Sequence, residues 1–260
     1  MAMKFSTTSD ARIRHQQMLS QAIRPATLSL LGTVKVKEGS NALVLNCGEG
    51  DVAFLMARLV GENGNVTGID LNRENVHTAQ QLAVIKKIGN VAFYQGEQFQ
   101  SQPKKRFAMV YGCLQPDTSL DEQMCGSLQM SSLALFEIID LSGFNSTPKN
   151  YAFDRLLDLY SALVRPQWGD NPFATRLNQL LSQSGFQRVQ HQYVAPAFLH
   201  GASRRLPSLT LESIRNKVLN QKLATEDELE ALLYELKDFE QKTHSLITLP
   251  GIHQIWGHKA

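Results

Sequence analysis

The stretch NALVLNCGEGDVAFLMARLV, residues 41–60, decides the fold predicted for this chain. It begins with a short apolar run, passes through a turn with two glycines in three positions, and ends in a segment with helical spacing of apolar residues. The shortness of the run and the glycines after it favour a buried strand over a helix. Asp51 has a side chain suited to cap the helix that follows through Val60. The stretch therefore predicts a strand, a tight turn and a helix in succession.

The same alternation continues on both sides of this stretch. Strands are predicted over residues 65–71, 91–95, 107–111, 133–140 and 189–194, with a closing strand that includes Ile247 and residues 252–256. Helices are predicted over residues 10–31, 74–88, 120–129, 153–164, 171–184, 209–220 and 226–241. Gly89 is expected to cap the helix that ends at residue 88. Short, regular alternation of strands and helices is typical of a parallel sheet with helices on both faces.

Composition excludes several classes of protein. Of the 260 residues, 43% are hydrophobic and 19% are charged, which supports a folded core rather than disorder. The net charge of +2 gives no electrostatic reason to expect nucleic acid or an anionic membrane as a partner. No apolar run reaches the ~20 residues of a spanning helix, and residues 1–14 lack the apolar block of a signal peptide. Three cysteines without metal spacing favour a reducing, cytoplasmic location.

The turn Gly48-Glu49-Gly50 is the strongest candidate for a ligand site. Ligands of parallel sheets bind at the carboxyl ends of strands, where glycines expose backbone and the next helix presents free N–H groups. Asp70, 20 residues beyond Gly50, ends the second strand, where a carboxylate accepts hydrogen bonds from ribose hydroxyls. The alternatives are a turn without a ligand and an Asp70 that only caps the next helix. Glu97 or Gln98 would bond an adenine amino group, unless this loop is simply solvated.

Several motifs of the chain resemble one family. Residues 42–83, together with GIDL (68–71), Gly96-Glu97-Gln98 and FAMVYGCL (107–114), resemble the cofactor-binding half of the class I S-adenosylmethionine-dependent methyltransferases. LQMSSLALFEIID, SQSGFQRVQ and LPGIHQIWGHK are similar to later segments of that family. The resemblance covers residues 42–194 in motif order and extends towards the C-terminus.

The chain departs from the family pattern at several positions. Val44 stands where the first motif has an acid, and Asn46 stands where it has its first glycine. The third-strand turn has Glu97 instead of the usual Asp, Ala108 replaces an acid of the fourth strand, and residues 130–132 replace a Pro-Gly-Gly turn. Loss of the first acid removes a partner for the amino acid end of the cofactor. The family resemblance therefore leaves two functions open, a methyltransferase and a non-catalytic binding or scaffold protein with weakened cofactor use.

The resemblance implies a Rossmann-like α/β fold with a mostly parallel seven-stranded sheet, its last strand antiparallel. It implies one domain over residues 1–260, with a helical cap (1–40), a cofactor-binding core (41–195), a helical lid (196–245) and a closing strand (246–260). The implied cofactor is S-adenosyl-L-methionine, with no metal and no fixed catalytic residue. Its expected contacts are Gly48, Glu49 and Gly50 at the methionine end, Asp70 and Leu71 at the ribose, Glu97 and Gln98 near the adenine, and Gly112 and Cys113 closing the site.

The expected activity is methyl transfer to a small or medium-sized molecule by a monomer or homodimer, without nucleic acid or membrane partners. A nicotinamide-dependent dehydrogenase is a further alternative, because Ala53 stands where its third glycine falls and alanine is sometimes accepted there. The order of the later segments makes this alternative the weaker one.

Other candidate residues are better explained by packing or solvation. The histidines, including His15, show no partner at a recognisable spacing. The Cys113 thiol has no feature that lowers its pKa. The basic pair Arg204-Arg205 is best explained as part of a solvated loop. The alternative is that it binds an anionic group of a substrate. A dense group of aromatic residues offers either the lining of an apolar substrate pocket or, as is more common at helical spacing, ordinary core packing. These residues are Phe144, Tyr151, Phe153, Tyr160, Trp168 and Phe173.

Overall fold

The computed structural model describes residues 8–96, 106–114, 122–140, 143–168 and 173–259. Its helices are α1 (Thr8–Thr33), α2 (Asp51–Val60), α3 (Arg73–Ile85), α4 (Glu122–Gln129), α5 (Tyr151–Trp168), α6 (Phe173–Gln183), α7 (Leu206–Asn220) and α8 (Glu226–Gln241). Its strands are β1 (Asn41–Leu45), β2 (Asn65–Asp70), β3 (Val91–Gln95), β4 (Phe107–Leu114), β5 (Ser131–Asp140), β6 (Asn145–Thr147), β7 (Phe186–Val194), β8 (Ala197–Phe198), β9 (Leu246–Thr248) and β10 (Gly251–Lys259).

A seven-stranded sheet has the order β3-β2-β1-β4-β5-β10-β7. The pairs β1–β2, β2–β3, β1–β4 and β4–β5 are all parallel. The predicted sheet is therefore confirmed. A dinucleotide-binding dehydrogenase has the order 3-2-1-4-5-6. Insertion of β10 between β5 and β7 departs from that order and argues against the dehydrogenase alternative.

Strand β10 runs antiparallel to β7. His253 near its start stacks with His191 and contacts Tyr193, with ring centroids 5.0 and 4.9 Å away. Towards its end, a Cβ added to Gly257 would lie 3.2 Å from Val189, earlier in β7. Later residues of β10 therefore lie beside earlier residues of β7, which is the antiparallel arrangement. This agrees with the antiparallel last strand that the resemblance implied.

One face of this sheet is covered by α2, α3 and the end of α1. The apolar residues of α2 recur at helical spacing, and Ala53, Met56, Ala57 and Val60 are buried. They form one core with residues of α1, α3 and the sheet: Leu30, Leu31, Val76, Ala79, Val44, Tyr111, Leu135 and Trp256. This packing fixes the helix that follows the glycine turn against the strands.

The ends of two helices differ from their predicted positions. The Phe54 N–H bonds to the Gly50 carbonyl at 2.8 Å, so Gly50 is the N-cap of α2 and Asp51 is its first helical residue. Helix α3 ends at Ile85 in a Schellman motif, in which Lys87 takes the left-handed conformation at φ 55°. The prediction of Gly89 as the cap was wrong, because a lysine occupies the position where glycine is more common.

The described residues within 1–27, 140–170 and 194–252 form a compact unit, called here the helical unit, and those within 28–139, 171–193 and 253–260 form another, the sheet unit. The helical unit contains α5, α7, α8 and a small sheet in the order β6-β9-β8. Ile247 was predicted in the closing strand but pairs with β6 and β8 instead. Pro250 follows and has no N–H for a ladder, so β9 and β10 are separate strands. The division of the chain into cap, core, lid and closing strand stays a prediction.

Helices α7 and α8 cap each other through two buried side chains. The Glu240 carboxylate near the end of α8 accepts hydrogen bonds from the Ser208 N–H at 2.8 Å and the Ser208 hydroxyl at 3.0 Å, in the first turn of α7. In return the Arg204 guanidinium, in the 3-10 turn before α7, binds the carbonyls at the end of α8. These contacts satisfy backbone groups that a helix leaves free at its ends.

Stability of the helical unit is expected to fall as pH rises from about 4.5 to about 7. Burial raises the pKa of Glu240 from its ordinary 4.5 to about 7, although the Ser208 bonds oppose the shift. The unfolded chain therefore releases this proton at a lower pH than the folded chain, and the contribution is lost between these two values. The expected loss is about 2 kcal/mol. Urea unfolding of wild type and Glu240→Gln at about pH 5 and about pH 8 measures it. A wild-type-minus-variant difference that is the same at both values would contradict the assignment.

Candidate functional site

The turn after β1 has left-handed backbone at every second residue. The angle φ is 50° at Asn46, 54° at Gly48 and 94° at Gly50. The Gly50 N–H bonds to the Cys47 carbonyl at 2.9 Å, and the Cys47 N–H ties the turn to the Ile69 carbonyl of β2 at 2.9 Å. Asparagine tolerates this conformation better than most residues with side chains. Asn46 therefore adopts here a left-handed backbone that glycine adopts most readily.

The two glycines of the turn are needed for different reasons. A Cβ added to Gly50 would lie 2.8 Å from the rings of Phe54 and Phe93, so internal packing excludes a side chain there. A Cβ added to Gly48 would meet no atom within 4 Å. Gly48 thus leaves open space against bare backbone beside the first residues of α2, which is where a ligand can approach the turn.

Asp70 ends β2 and binds the glycine turn directly. Its Oδ2 accepts the Gly48 N–H at 2.8 Å, and its Oδ1 accepts the Asn72 N–H at 2.9 Å and the Asn75 amide at 3.2 Å. The N-cap of α3 is Asn72, whose Oδ1 accepts the Glu74 N–H at 2.9 Å, so Asp70 does not cap that helix. A carboxylate has about four acceptor positions. These contacts leave one on Oδ2 for a ribose hydroxyl.

Glu49 and Leu71, two further residues expected at the cofactor, lie at the same end of the strands as Gly48 and Asp70. Glu49 is half-buried within the glycine turn. Leu71 directly follows Asp70 and is 64% exposed, so its backbone is next to the same strand end. Glu97 and Gln98 lie outside the described residues, and their role near an adenine stays a prediction.

Gly112 and Cys113 lie near the end of β4, next to β1. A Cβ added to Gly112 would lie 2.9 Å from the Phe136 ring, so packing within the sheet requires this glycine. Burial and then the charge of Glu137 raise the pKa of the Cys113 thiol to about 12. Burial and the Asp70 charge likewise raise the pKa of Cys47. Both thiols are protonated at neutral pH, in agreement with the expectation that Cys113 is no nucleophile.

Sequence reasoning missed a buried polar network in the sheet unit. The Tyr111 hydroxyl donates to Glu137 Oε2 at 2.5 Å and the Gln254 amide donates to Glu137 Oε1 at 2.6 Å, while the Gln192 amide donates to Gln254. Tyr111, Glu137 and Gln254 are each at most 1% exposed. The sequence signal was Glu137 in the middle of the apolar run LALFEII (133–139), which by itself predicts only a strand.

Two histidines form a pair that spacing did not reveal. His191 Nε2 and His253 Nδ1 lie 2.8 Å apart on β7 and β10, 62 positions apart in the chain. Burial and the neighbouring His253 lower the pKa of His191. Burial also lowers the pKa of His15 to about 4, so this α1 side chain is neutral at neutral pH. The lowered pKa values of His191 and His15 favour their neutral forms, which suits packing roles.

The suggestion that Arg204 binds an anionic group is wrong. Its side chain is 6% exposed and its donors are directed at backbone carbonyls of the helical unit. Phe153 packs edge-to-face with Phe144 and Phe239, at centroid distances of 5.4 and 5.5 Å. These aromatics are core residues, while the side chains of Trp168 and Phe173 lie outside the described part of the chain.

Within the described ranges, no cluster of three or more His, Cys, Asp or Glu side chains is arranged to hold a metal ion. None of the helices in the described part of the chain has the length and apolar character needed to cross a membrane.

Comparison with known sequences finds the same kind of domain. Residues 36–125 match the family model described as a methyltransferase domain. A demethylmenaquinone methyltransferase of Lactobacillus johnsonii is 44% identical over 48 residues, which is 18% of this chain and 20% of that protein. A 2-phytyl-1,4-naphtoquinone methyltransferase of Nostoc sp. is 45% identical over 47 residues, again 18% of this chain and 20% of that protein. The matched segments thus span about a fifth of the length of these curated relatives.

Comparison with solved structures extends the likeness to the whole fold. The YcgJ protein of Bacillus subtilis superposes with a TM-score of 0.53 at 14% identity, covering 90% of this chain and 99% of that one. A cyclopropane-fatty-acyl-phospholipid synthase-like protein of Lactobacillus casei has a TM-score of 0.51 at 13% identity, covering 96% and 92%. At these identities the likeness concerns the fold alone. The part of the chain that matches the methyltransferase domain thus contains β1, the glycine turn and β2, and the chain as a whole has the fold of these solved structures.

Proposed function

We propose that this chain binds S-adenosyl-L-methionine and transfers its methyl group to a small or medium-sized molecule. The observation that carries the proposal is the open space over Gly48, next to a carboxylate that holds the same turn. Left-handed glycine backbone gives close access for the amino acid end of the cofactor, and Asp70 Oδ2 has an acceptor position for a ribose hydroxyl. The residues at the turn thus fit this group.

The chain's contribution to the reaction is mainly to bind and orient. The bound cofactor supplies an activated methyl group on a sulfonium, so little chemistry is required of the protein. Gly48 and the first N–H groups of α2 fix one end of the cofactor, and Asp70 fixes the ribose. The acceptor must then be held in line with the methyl group and away from water. In this proposal, Glu97 and Gln98 lie near the adenine of the cofactor. Residues 196–245 form a lid.

A non-catalytic protein of this fold remains the second candidate. Val44, which replaces the acid of the first motif, is 1% exposed within the core, so this position offers no charge to the cofactor. Asp70 already accepts three hydrogen bonds from the protein, which limits what it can offer a ligand. Both observations favour weakened cofactor use.

Calorimetric titration with S-adenosylmethionine and its demethylated product tests the proposal. We expect both to bind wild type, and Gly48→Ala to bind at least about fivefold more weakly, because its methyl group enters the ligand space. Gly39→Ala is the matched control. Gly39 has φ 77° and also has no atom within 4 Å of an added Cβ, so its variant has a similar backbone strain, but it lies before β1 at the amino edge of the sheet.

The outcomes separate the two candidates. Affinity lost in Gly48→Ala and kept in Gly39→Ala would support a cofactor at the turn. Equal affinities of the two variants would show that the ligand does not lie against Gly48. No binding to folded wild type at millimolar ligand would favour the non-catalytic protein.

A further inference from the structure

His191 and His253 face each other on the two neighbouring strands β7 and β10. Their Nε2 and Nδ1 atoms are 2.8 Å apart, and the contact between them is exposed to solvent. The ring centroids are 5.0 Å apart, so the two nitrogens are the parts of the rings that face each other. The pair therefore presents two nitrogen atoms to one small volume that solvent can reach.

The strands that carry the two histidines are held in register. Gln192 and Gln254, which directly follow them in the chain, are hydrogen-bonded to each other through their amides. Because side chains alternate along a strand, these amides lie on the opposite face of the sheet. On the face of the histidines, the Tyr193 ring packs against His253 at a centroid distance of 4.9 Å. The two nitrogens are thus brought together by paired strands, which lowers the entropy cost of holding a common ligand.

The separation of the two nitrogens suits a shared metal ion. Neutral imidazole is the commonest metal ligand, and burial and the neighbouring His253 lower the pKa of His191, which favours its neutral form. Two nitrogens bound to one tetrahedral zinc ion at about 2.05 Å lie about 3.3 Å apart. The observed 2.8 Å has to open by only about 0.5 Å, which small rotations of the rings supply. A metal-bound histidine keeps its other ring nitrogen for the protein, so contacts of that nitrogen do not compete with the ion.

The pair lies at the same edge of the sheet as the glycine turn but at a distance from it. Gln254, near the start of β10, bonds to Glu137 late in β5. Lys259, at the end of β10, bonds to the Leu128 carbonyl just before β5. Strand β10 therefore runs antiparallel to β5, and His253 stands near the carboxyl edge of the sheet. Three strand spacings of ~4.8 Å separate β10 from β1, so the pair is about 14 Å from the strand that ends in the turn.

We propose that His191 and His253 form a binding site for one zinc ion. The ion replaces the proton that the two rings otherwise share. In the described part of the chain no third His, Cys, Asp or Glu side chain completes a ligand set, so water or an oxygen ligand of a bound molecule takes the remaining positions. The ion joins β7 to β10. This site is separate from the cofactor site, for which the family resemblance implies no metal, and it does not depend on the proposed function.

Calorimetric titration of the full chain with zinc chloride at neutral pH tests the site. We expect wild type to bind one zinc ion at the pair. His191→Gln and His253→Gln should each bind zinc at least about tenfold more weakly, because a single imidazole loses the advantage of two donors held together. Thermal unfolding gives a second readout. Zinc should raise the unfolding midpoint of wild type and leave that of both variants unchanged, since only the intact pair binds it in the folded state.

His258→Gln is the matched control, because His258 is an exposed histidine on the same strand, β10. Its zinc affinity should equal that of wild type. Equal weakening in the control, or full affinity in His191→Gln or His253→Gln, would overturn the inference and mean that zinc binds elsewhere. Absence of zinc binding by folded wild type up to about 1 mM would also overturn it and leave a hydrogen-bonded pair. Circular dichroism shows whether each variant folds. If one of the two does not, the other still decides, because the site requires both imidazoles.

Discussion

Replacement of Arg204 by methionine is expected to lower the free energy of unfolding of the helical unit by about 3–5 kcal/mol. The buried guanidinium donates hydrogen bonds to the Ser245 hydroxyl and to five carbonyls, those of Leu199, Phe239, Glu240, Lys242 and Ser245. Methionine keeps the apolar stem but leaves these carbonyls buried without their donor. Since three of them end α8 or directly follow it, the helix loses its C-terminal cap.

Arg205→Met is the matched control, because it removes the same charge from the neighbouring, exposed position. Its unfolding free energy should stay within about 0.5 kcal/mol of wild type. Arg204→Lys should recover little, because one ammonium cannot reach carbonyls spread around a planar guanidinium. Urea unfolding followed by far-UV circular dichroism measures all three. Similar stabilities of the Arg204 and Arg205 variants would show that the carbonyl contacts contribute little.

The difference between these adjacent arginines marks the limit of the sequence-based prediction. In the sequence, Arg204-Arg205 is a basic pair in a loop, for which solvent exposure is the ordinary expectation. The carbonyls that surround Arg204 belong to residues up to 41 positions away, and backbone carbonyls have no signature in a sequence. The same holds for Glu137 and Gln254, which are 117 positions apart. An acid in an apolar strand can be noticed, but its partners cannot be identified.

The sheet and the glycine turn were predictable because their causes are local. Short apolar runs bounded by glycine predict strands, and the spacing of apolar residues in α2 predicts the face that it buries. The left-handed angle at Asn46 follows from its place in the motif. The position of Asp70 at a strand end was predictable for the same reason. Its bond to the Gly48 N–H was not, because it depends on the register between β1 and β2.

Asp70→Asn is expected to weaken the binding of S-adenosylmethionine about 100-fold. The asparagine oxygen can retain the Asn72 and Asn75 donors, but its NH₂ group would then face the Gly48 N–H, so two donors would oppose each other. The turn loses the bond that holds Gly48 under the ligand, and the ribose loses a charged acceptor. Because both effects act on the same ligand, the loss exceeds that of either alone. Calorimetry gives the affinity, and thermal unfolding shows whether the variant stays folded at the titration temperature.

Asn75→Ala is the control that separates the ligand role of Asp70 from its structural role. It removes one donor from Oδ1 but leaves the carboxylate and its bond to Gly48, so it frees an acceptor position. If the carboxylate binds ribose, this variant should bind the cofactor as tightly as wild type or more tightly, while Asp70→Asn fails. Equal weakening in both variants would mean that Asp70 only holds the turn and that the ribose is bound elsewhere. A protein that no longer uses the cofactor needs no free acceptor position on Asp70. Tighter cofactor binding by Asn75→Ala would therefore also be the clearest evidence against the non-catalytic alternative.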